Sequence, residues 1–422
     1  MKQQFSLLLN PFLLLALSAC GFTKPIQSPM PSPTNIPAVT PVFAGAADLD
    51  RSFQTMWEDL HPAAISAGIV KGDRLVWSSA YGLADVEAKR PATPETLFPM
   101  GSVSKTITGA ALLHLWESGR FNLDDDVNRY LPFAVRNPRF PDRPVTFRML
   151  LTHTSGINDY PVDGIPRKII NALFSAQDST LLLEQVLKGF LVPGGIYFND
   201  ANWCDWAPGD QYAYSNVAFA LIGFLGERMS GESFTDYCRE HLFAPLEMTR
   251  STWMLADVAP EEFAFQYVPD PSGDGKLIRI PPFTWPGYMD GSLRTSVVEY
   301  SHFLVMLLHG GRFMDRLVLK PETVAAMLTP QKVAIPPMEH GVVPFVDQTL
   351  VWPVYRLGDN ILYSHAGGPG GFFTFVFFHP DRKIAGMIFV TGEFPEESYG
   401  RLAEVAIQMV ELAGDQMEPE GR

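Results

Sequence analysis

Apolar runs joined by tight turns stand at both ends of this 422-residue chain, and they require its two termini to meet in one sheet. Ile65 to Val70 and Leu75 to Tyr81 flank Lys71-Gly72-Asp73, a hairpin signal in which glycine and aspartate supply the turn. The pattern returns near the far end as Leu350 to Tyr355, a Gly358-Asp359-Asn360 turn and Ile361 to Ser364. Phe373 to Phe378, a turn at Pro380-Asp381 and Ile384 to Thr391 follow. Strands joined by tight turns run antiparallel, so one antiparallel sheet shared by both ends is expected. Leu49, Phe53, Met56, Trp57 and Leu60 precede the first hairpin at helical spacing. Leu402, Val405, Ala406, Met409 and Val410 follow the last strand in the same way, which predicts terminal helices packed on the sheet. In the middle, Leu181 to Phe190, Val217 to Met229, Phe234 to His241 and Val297 to Leu308 read as helices between long loops rich in Pro, Gly and aromatics. The expected class is α/β of the α+β type, with a sheet lobe of about residues 46–118 and 346–415 and a mainly helical lobe of about 119–345.

Ser102-Val103-Ser104-Lys105 sits where a short extended stretch ending at Phe98-Pro99 gives way to a long apolar run. Ile107, Ala110, Ala111, Leu113 and Leu115 predict a helix that stops at Ser118-Gly119. Ser102 then lies at its N-terminus, with Lys105 one turn on and on the same face. A lysine is a base only when burial or a positive field lowers its pKa, and a helix N-terminus supplies such a field while stabilising a developing serine alkoxide. In a chain of this size about one Ser-x-x-Lys arises by chance, so the tetrad needs partners.

Two further segments qualify. Tyr214-Ser215-Asn216 follows Pro208-Gly209-Asp210 and opens the helix of Val217, Ala220, Leu221, Phe224 and Leu225. A phenol beside an ammonium ionises more easily, so Tyr214 is a candidate to accept or return the serine proton, and the amide of Asn216 can orient Lys105 or a substrate. Tyr197-Phe198-Asn199 has the same spacing but runs into polar loop sequence. His365-Ala366-Gly367-Gly368 ends the strand from Ile361. Glycines there let a substrate backbone approach, and a peptide N–H beside that of Ser102 can hold an oxyanion. His309-Gly310-Gly311 matches too, but it ends a helix, where glycine is a cap.

In this order, Gly101-Ser102-Val103-Ser104-Lys105-Thr106, Leu150-Leu151-Thr152-His153-Thr154-Ser155-Gly156, Tyr214-Ser215-Asn216 and His365-Ala366-Gly367 resemble the serine β-lactamase-related family. That family includes class C β-lactamases, penicillin-binding D-alanyl peptidases, D-aminopeptidases and family VIII esterases. Gly119-Arg120-Phe121-Asn122-Leu123-Asp124-Asp125 and Gly291-Ser292-Leu293-Arg294-Thr295 add to the likeness, which spans roughly residues 47–413. The resemblance implies a β-lactamase/transpeptidase-like fold and an acyl-enzyme mechanism. Ser102 would be acylated, Lys105 and Tyr214 would handle its proton, and the N–H groups of Ser102 and Gly368 would form the oxyanion hole. Asn216, His365 and Gly367 would bind substrate. Whether Lys105 or Tyr214 is the base stays open. Class C β-lactamases usually carry lysine-threonine-glycine as the third motif, a fixed positive charge that His365 lacks at neutral pH. An ester or a D-amino-acid peptide or amide is therefore favoured as substrate. A true β-lactamase is the alternative, and a catalytically silent penicillin- or cell-wall-peptide-binding lipoprotein is the alternative of another class.

The remaining signals set the surroundings. A net charge of −14 with no basic run argues against a nucleic-acid partner. No Cys-x-x-Cys or His-Glu-x-x-His occurs, and Asp270-Pro271-Ser272-Gly273-Asp274-Gly275 lacks the twelfth-position glutamate of a calcium loop, so neither metal nor cofactor is expected. Phe5 to Leu17 reads as an export signal ending in Leu17-Ser18-Ala19-Cys20, which resembles a bacterial lipoprotein cleavage box with Cys20 as the lipidated residue. Residues 1–19 would be the signal peptide, and the proline-rich stretch 20–45 a tether for a hydrolase domain of 46–415. The expectation is an exported protein, lipid-anchored to a bacterial membrane, acting on a small molecule or short peptide, with oligomeric state open. Cys204 and Cys238 fit a disulfide or two separate thiols equally well. Tyr160, Tyr197, Trp203, Trp206, Phe283, Trp285 and Tyr288 are candidates to line an apolar substrate pocket or to pack the helical lobe.

Overall fold

The computed structural model describes residues 45–160, 165–272, 276–335, 345–368, 370–392 and 398–414. The expectations for the signal, Cys20 and nearly all of the tether lie outside these residues. Among the described residues the main sheet has strands β1 (Ala64–Lys71), β2 (Arg74–Asp85), β3 (Arg90–Pro91), β4 (Phe345–Gln348), β5 (Pro353–Leu357), β6 (Asn360–Gly367), β7 (Phe372–His379) and β8 (Ile384–Thr391). Their order is β4-β5-β6-β7-β8-β1-β2-β3, every pair antiparallel. The expected junction of the two chain ends is the β8–β1 pair, in register from Ala64 opposite Thr391 to Lys71 opposite Ile384.

This central pair is apolar on both faces because both are covered. Ile65, Ala67, Ile69, Ile388 and Val390 pack under α1 (Ala46–Leu60) and α10 (Tyr399–Gly414), which contribute Leu49, Phe53 and Met56, and Leu402, Val405, Ala406, Met409 and Val410. Met387 and Phe389, from the same strand, point to the other core. Helices α2 (Ser104–Glu117), α3 (Phe147–Leu151), α4 (Ile165–Ala172), α5 (Leu183–Leu191), α6 (Asn216–Ser230), α7 (Phe234–Cys238), α8 (Val297–Leu308) and α9 (Pro321–Leu328) form the rest. α8 lies under β1, β2 and β8, while α2 and α6 are buried on almost every side and pack on each other. A charged residue inside such a pair of helices must be met by partners from its neighbours.

Three boundaries differ from expectation. The run Leu350 to Tyr355 is a strand only from Pro353, because Val351 takes a positive φ of 90° and Thr349 Oγ1 donates to Trp352 O in a local turn. The edge strand β4 and the short α3, α4 and α9 carry too few periodic residues to be read from sequence. Phe234 to His241 is α-helical to Cys238 and then widens into a π-helical turn over Arg239–Phe243.

Gly109 shows how tightly α2 is held. A Cβ at this position would lie 2.1 Å from Val351 Cγ2. Alanine would gain about 1 kcal/mol of helix propensity but would overpack a stiff β-branched neighbour at a typical cost of about 1–3 kcal/mol. Gly109→Ala is therefore expected to lower the stability measured by urea unfolding, and Val351→Ala in the same chain should recover part of that loss, a coupling that independent sites would not show.

Candidate active site

Ser102 lies in the 3-10 turn Gly101–Val103, wedged between the short strand Phe98–Pro99 and α2. Gly101 has φ +50°, and a Cβ on it would meet Gly368 N at 2.8 Å and the Phe372 ring at 2.9 Å. The turn can thus sit against the end of β6 only because position 101 is glycine. From the other side, a Cβ on Gly367 would lie 2.1 Å from Met100 O and 3.0 Å from Ser102 N. Thr374 Oγ1 donates to Met100 O at 2.8 Å and locks β7 to the same turn. The backbone near Gly368 and that of Ser102 are thereby brought together, as the expected oxyanion pair requires.

The first turn of α2 then gathers the loop before α8. Ser104 Oγ accepts from Leu293 N at 3.0 Å, and Thr108 Oγ1 donates to Met289 O at 2.6 Å. Two anchors on one helix face hold the segment 289–293 across Lys105. The fully buried Lys105 Nζ donates to Asp290 O at 2.7 Å, to Asn216 Oδ1 at 2.7 Å and to Ser102 Oγ at 3.2 Å. It also lies 3.7 Å from the Asp290 carboxylate and 5.1 Å from the centre of the Tyr214 ring. The Asp290 carboxylate is itself held by Trp285 Nε1 at 2.6 Å.

Tyr214 and Asn216 are placed by residues that the sequence did not single out as functional. Ala213 N donates to His153 O at 2.7 Å and Ser215 N donates to His153 Nδ1 at 3.1 Å, so the residues on either side of Tyr214 both hang on one histidine. The rings of His153 and Tyr214 lie 4.3 Å apart. His153 holds a φ of 57°, a strained conformation for a non-glycine residue. Asp159 caps α6: its buried carboxylate accepts from Ser215 Oγ at 2.9 Å, from Val217 N at 3.1 Å and from Asn216 N. A carboxylate at a helix N-terminus satisfies otherwise orphaned N–H groups and complements the helix dipole. Asn216 Nδ2 completes the set by donating to Tyr160 Oη at 2.9 Å.

His365 lies near the end of β6, as expected, and it is buried. Its Nδ1 lies 3.0 Å from Ala366 O, and a carbonyl only accepts, so the proton sits on Nδ1 and Nε2 is left as the acceptor. Burial, with Lys105 nearby, pushes its pKa down to about 3. His153 is held well below the ordinary histidine value by burial, then by Lys105 and His365.

The competing motifs fall away from this centre. Tyr197 packs against Gly189 of α5, and Asn199 Oδ1 accepts from Ala201 N in a local turn. His309 closes α8, with Gly310 and Gly311 at positive φ. Trp203 and Trp285 are buried in the helical core and Tyr160 is half exposed beside Asn216, so the aromatic set divides between packing and site rim. Cys204 and Cys238 are separate buried thiols, and burial pushes Cys204 up to about 12, which leaves it unreactive.

A serine hydroxyl touching a buried lysine amine, with a tyrosine and an asparagine at the start of a second helix, defines a serine hydrolase site of the β-lactamase type. Residues 49–410 match the Beta-lactamase family, and the chain belongs to it. Protein flp of Staphylococcus aureus (strain MW2) is 26% identical over 244 residues, 58% of this chain and 45% of that protein. The chain thus spans about half the length of such curated relatives. Penicillin-binding protein 4* of Bacillus subtilis (strain 168) is 24% identical over 361 residues, 83% of this chain and 73% of its own. Among solved structures, the D-amino acid amidase of Ochrobactrum anthropi SV3 superposes with a TM-score of 0.66 at 21% identity, covering 87% of this chain and 98% of the amidase. That likeness shows that the fold is the β-lactamase/transpeptidase one.

Two neutral buried imidazoles make the protein acid-labile. Their folded pKa values lie below the ordinary 6.5, so on acidification the unfolded chain binds protons that the folded one refuses. The stability they contribute is whole above about pH 6.5 and is lost as the pH falls, in the case of His365 down to about pH 3. The slope is about 1.4 kcal/mol per pH unit for each histidine. Urea unfolding at neutral pH and at two values below 6 should show this decline, and His365→Gln should flatten it by one histidine's share.

Proposed function

We propose that the protein hydrolyses an ester, or an amide or peptide bond of a D-amino acid, through an acyl-enzyme on Ser102. The observation that carries this reading is the Lys105 nitrogen, buried, fixed by Asn216 Oδ1 and Asp290 O, and still 3.2 Å from the Ser102 oxygen. Nothing in a merely structural lysine requires that last contact. Ser102 Oγ attacks the substrate carbonyl carbon, and its proton passes to the Lys105–Tyr214 pair. The oxyanion is held by the N–H groups of Ser102 and Gly368. The pair returns the proton to the leaving group, and a water then repeats the sequence to release the acid.

The substrate preference rests on His365. Its imidazole stands where class C β-lactamases usually carry a lysine, and it stays neutral through the whole physiological range. A lactam carboxylate would find no fixed cation there, whereas an ester or a D-amino-acid amide needs none. The activity named for the D-amino acid amidase is compatible with that choice. Lipid on Cys20 would hold the enzyme on the periplasmic or cell-surface side of a bacterial membrane, with the proline-rich 20–45 stretch as its tether.

A fluorophosphonate probe should add one adduct to the full chain, on Ser102, and none to Ser102→Ala. A panel of p-nitrophenyl esters, D-amino-acid amides and a chromogenic cephalosporin should give a kcat/KM for an ester or amide at least 100-fold above that for the lactam. The reverse order would assign a β-lactamase, and binding without turnover a silent receptor. Gly367→Ala, which pushes a methyl group against Met100 O, should lower kcat by about 100-fold or more by displacing the strand that frames the oxyanion. Detergent-phase partitioning of the exported chain should be lost in Cys20→Ser.

A further inference from the structure

Three of the contacts of Lys105 can be satisfied in two ways. As an ammonium it donates to Asn216 Oδ1, Asp290 O and Ser102 Oγ; as an amine it donates to the first two and accepts the Ser102 hydroxyl. The geometry of these three contacts fits both states, so the charges around them bias the choice. Burial of Lys105 and its place in the first turn of α2 both favour the amine. Neither His153 nor His365 opposes them, since both are neutral imidazoles. Asn216 is uncharged. The group that favours the ammonium is the Asp290 carboxylate at 3.7 Å, buried and aimed at the site by Trp285 Nε1. An opposite charge this close is worth roughly one to three pH units.

We propose that Asp290 is a positioning residue that keeps the proton of the Lys105–Tyr214 pair on Lys105, making the Tyr214 phenolate the working base and raising the pH at which the site becomes competent. This deepens the acyl-enzyme reading and rests on it. As Ser102 Oγ bonds the carbonyl carbon, its proton goes to the Tyr214 oxygen. As the bond from that carbon to the leaving group breaks, the phenol gives the same proton to the leaving group, and Lys105 stays charged throughout. The titratable groups that face the pair are His153 from the segment after α3, His365 from β6, Asp290 from the loop before α8, and Tyr212 and Tyr355 beside Tyr214. Asp159 faces the N–H groups of α6. Asp290 is the one among these with a carboxylate on Lys105.

The test is the pH profile of fluorophosphonate acylation, read with the ultraviolet tyrosinate titration of the same full-length protein. In the unaltered enzyme the rising limb should coincide with a one-tyrosine step that Tyr214→Phe abolishes. In Asp290→Asn the limb should move about one to three pH units lower while the one-tyrosine step no longer follows it, because the remaining proton passes from Lys105 to Tyr214, with the probe still on Ser102. Asp290→Ser should separate limb and step in the same way. Profiles of Asp290→Asn and Asp290→Ser that superimpose on the parent overturn the proposal while leaving the hydrolase reading intact. A rising limb in the parent without a tyrosinate step overturns it too, and that result needs no variant to fold. Failure of the unaltered enzyme to label on Ser102 removes the acyl-enzyme reading instead, and the tyrosinate titrations still report whether Asp290 sets the charge of the pair.

Discussion

One buried nitrogen holds the site together. Lys105 Nζ is reached by Ser102 from its own helix, by Asn216 from the start of α6 and by Asp290 from the loop before α8. Removing a lysine from water without partners costs far more than the fold could spare, so burial of Lys105 demands that these three segments close on it. The packing of α2 on α6 brings Asn216 near, and the anchors on Ser104 and Thr108 bring Asp290. The catalytic geometry is therefore a by-product of solvating one side chain inside a helical core.

The part of this arrangement that was legible in the sequence is the part fixed by short spacing. Ser102 and Lys105 share a helix face because they are three residues apart, and Tyr214 and Asn216 flank a helix start that Ser215 marks as a cap. The β1–β2 hairpin was readable from a turn and two apolar runs. Asp159 and His153 carried no such mark. Their partners lie about sixty residues away, and a carboxylate that caps a distant helix looks in sequence like any loop aspartate. Asp290 was hidden for the same reason: its neighbours Gly291 to Thr295 belong to a recognisable stretch, but its contact with Lys105 crosses 185 residues. Sequence periodicity reports which face of an element is buried, and it is silent on which buried polar groups will meet.

The strand boundaries failed where backbone conformation overrode composition. Leu350, Val351 and Trp352 are as apolar as any strand, yet a left-handed φ at Val351 turns the chain there and sends that side chain against Gly109 of α2. His365 shows the opposite case. Its motif was expected to end the strand, and β6 does end there: Gly367 is still paired with Thr374 of β7 and Gly368 lies just past the pairing. The paired strand delivers the backbone up to Gly367 against the Ser102 turn, and the proposed oxyanion site would gain from that, since donors already in place need no reorganisation when charge develops.

The charges of the site follow a consistent logic. Its two histidines are neutral, and its cation is enclosed between a carboxylate, an amide and a carbonyl. An entering substrate thus meets hydrogen-bonding groups and apolar surface in place of a free positive charge. A ligand that brings its own carboxylate would have to desolvate it against neutral partners, and the whole protein, at a net −14, would repel it on approach. In the proposed reading a neutral acyl donor would suffer neither cost. The same enclosure that protects Lys105 from solvent would, in the proposed reading, keep it from anchoring substrate and leave selectivity to the shape of the rim, where Tyr160 stands half exposed over Asn216.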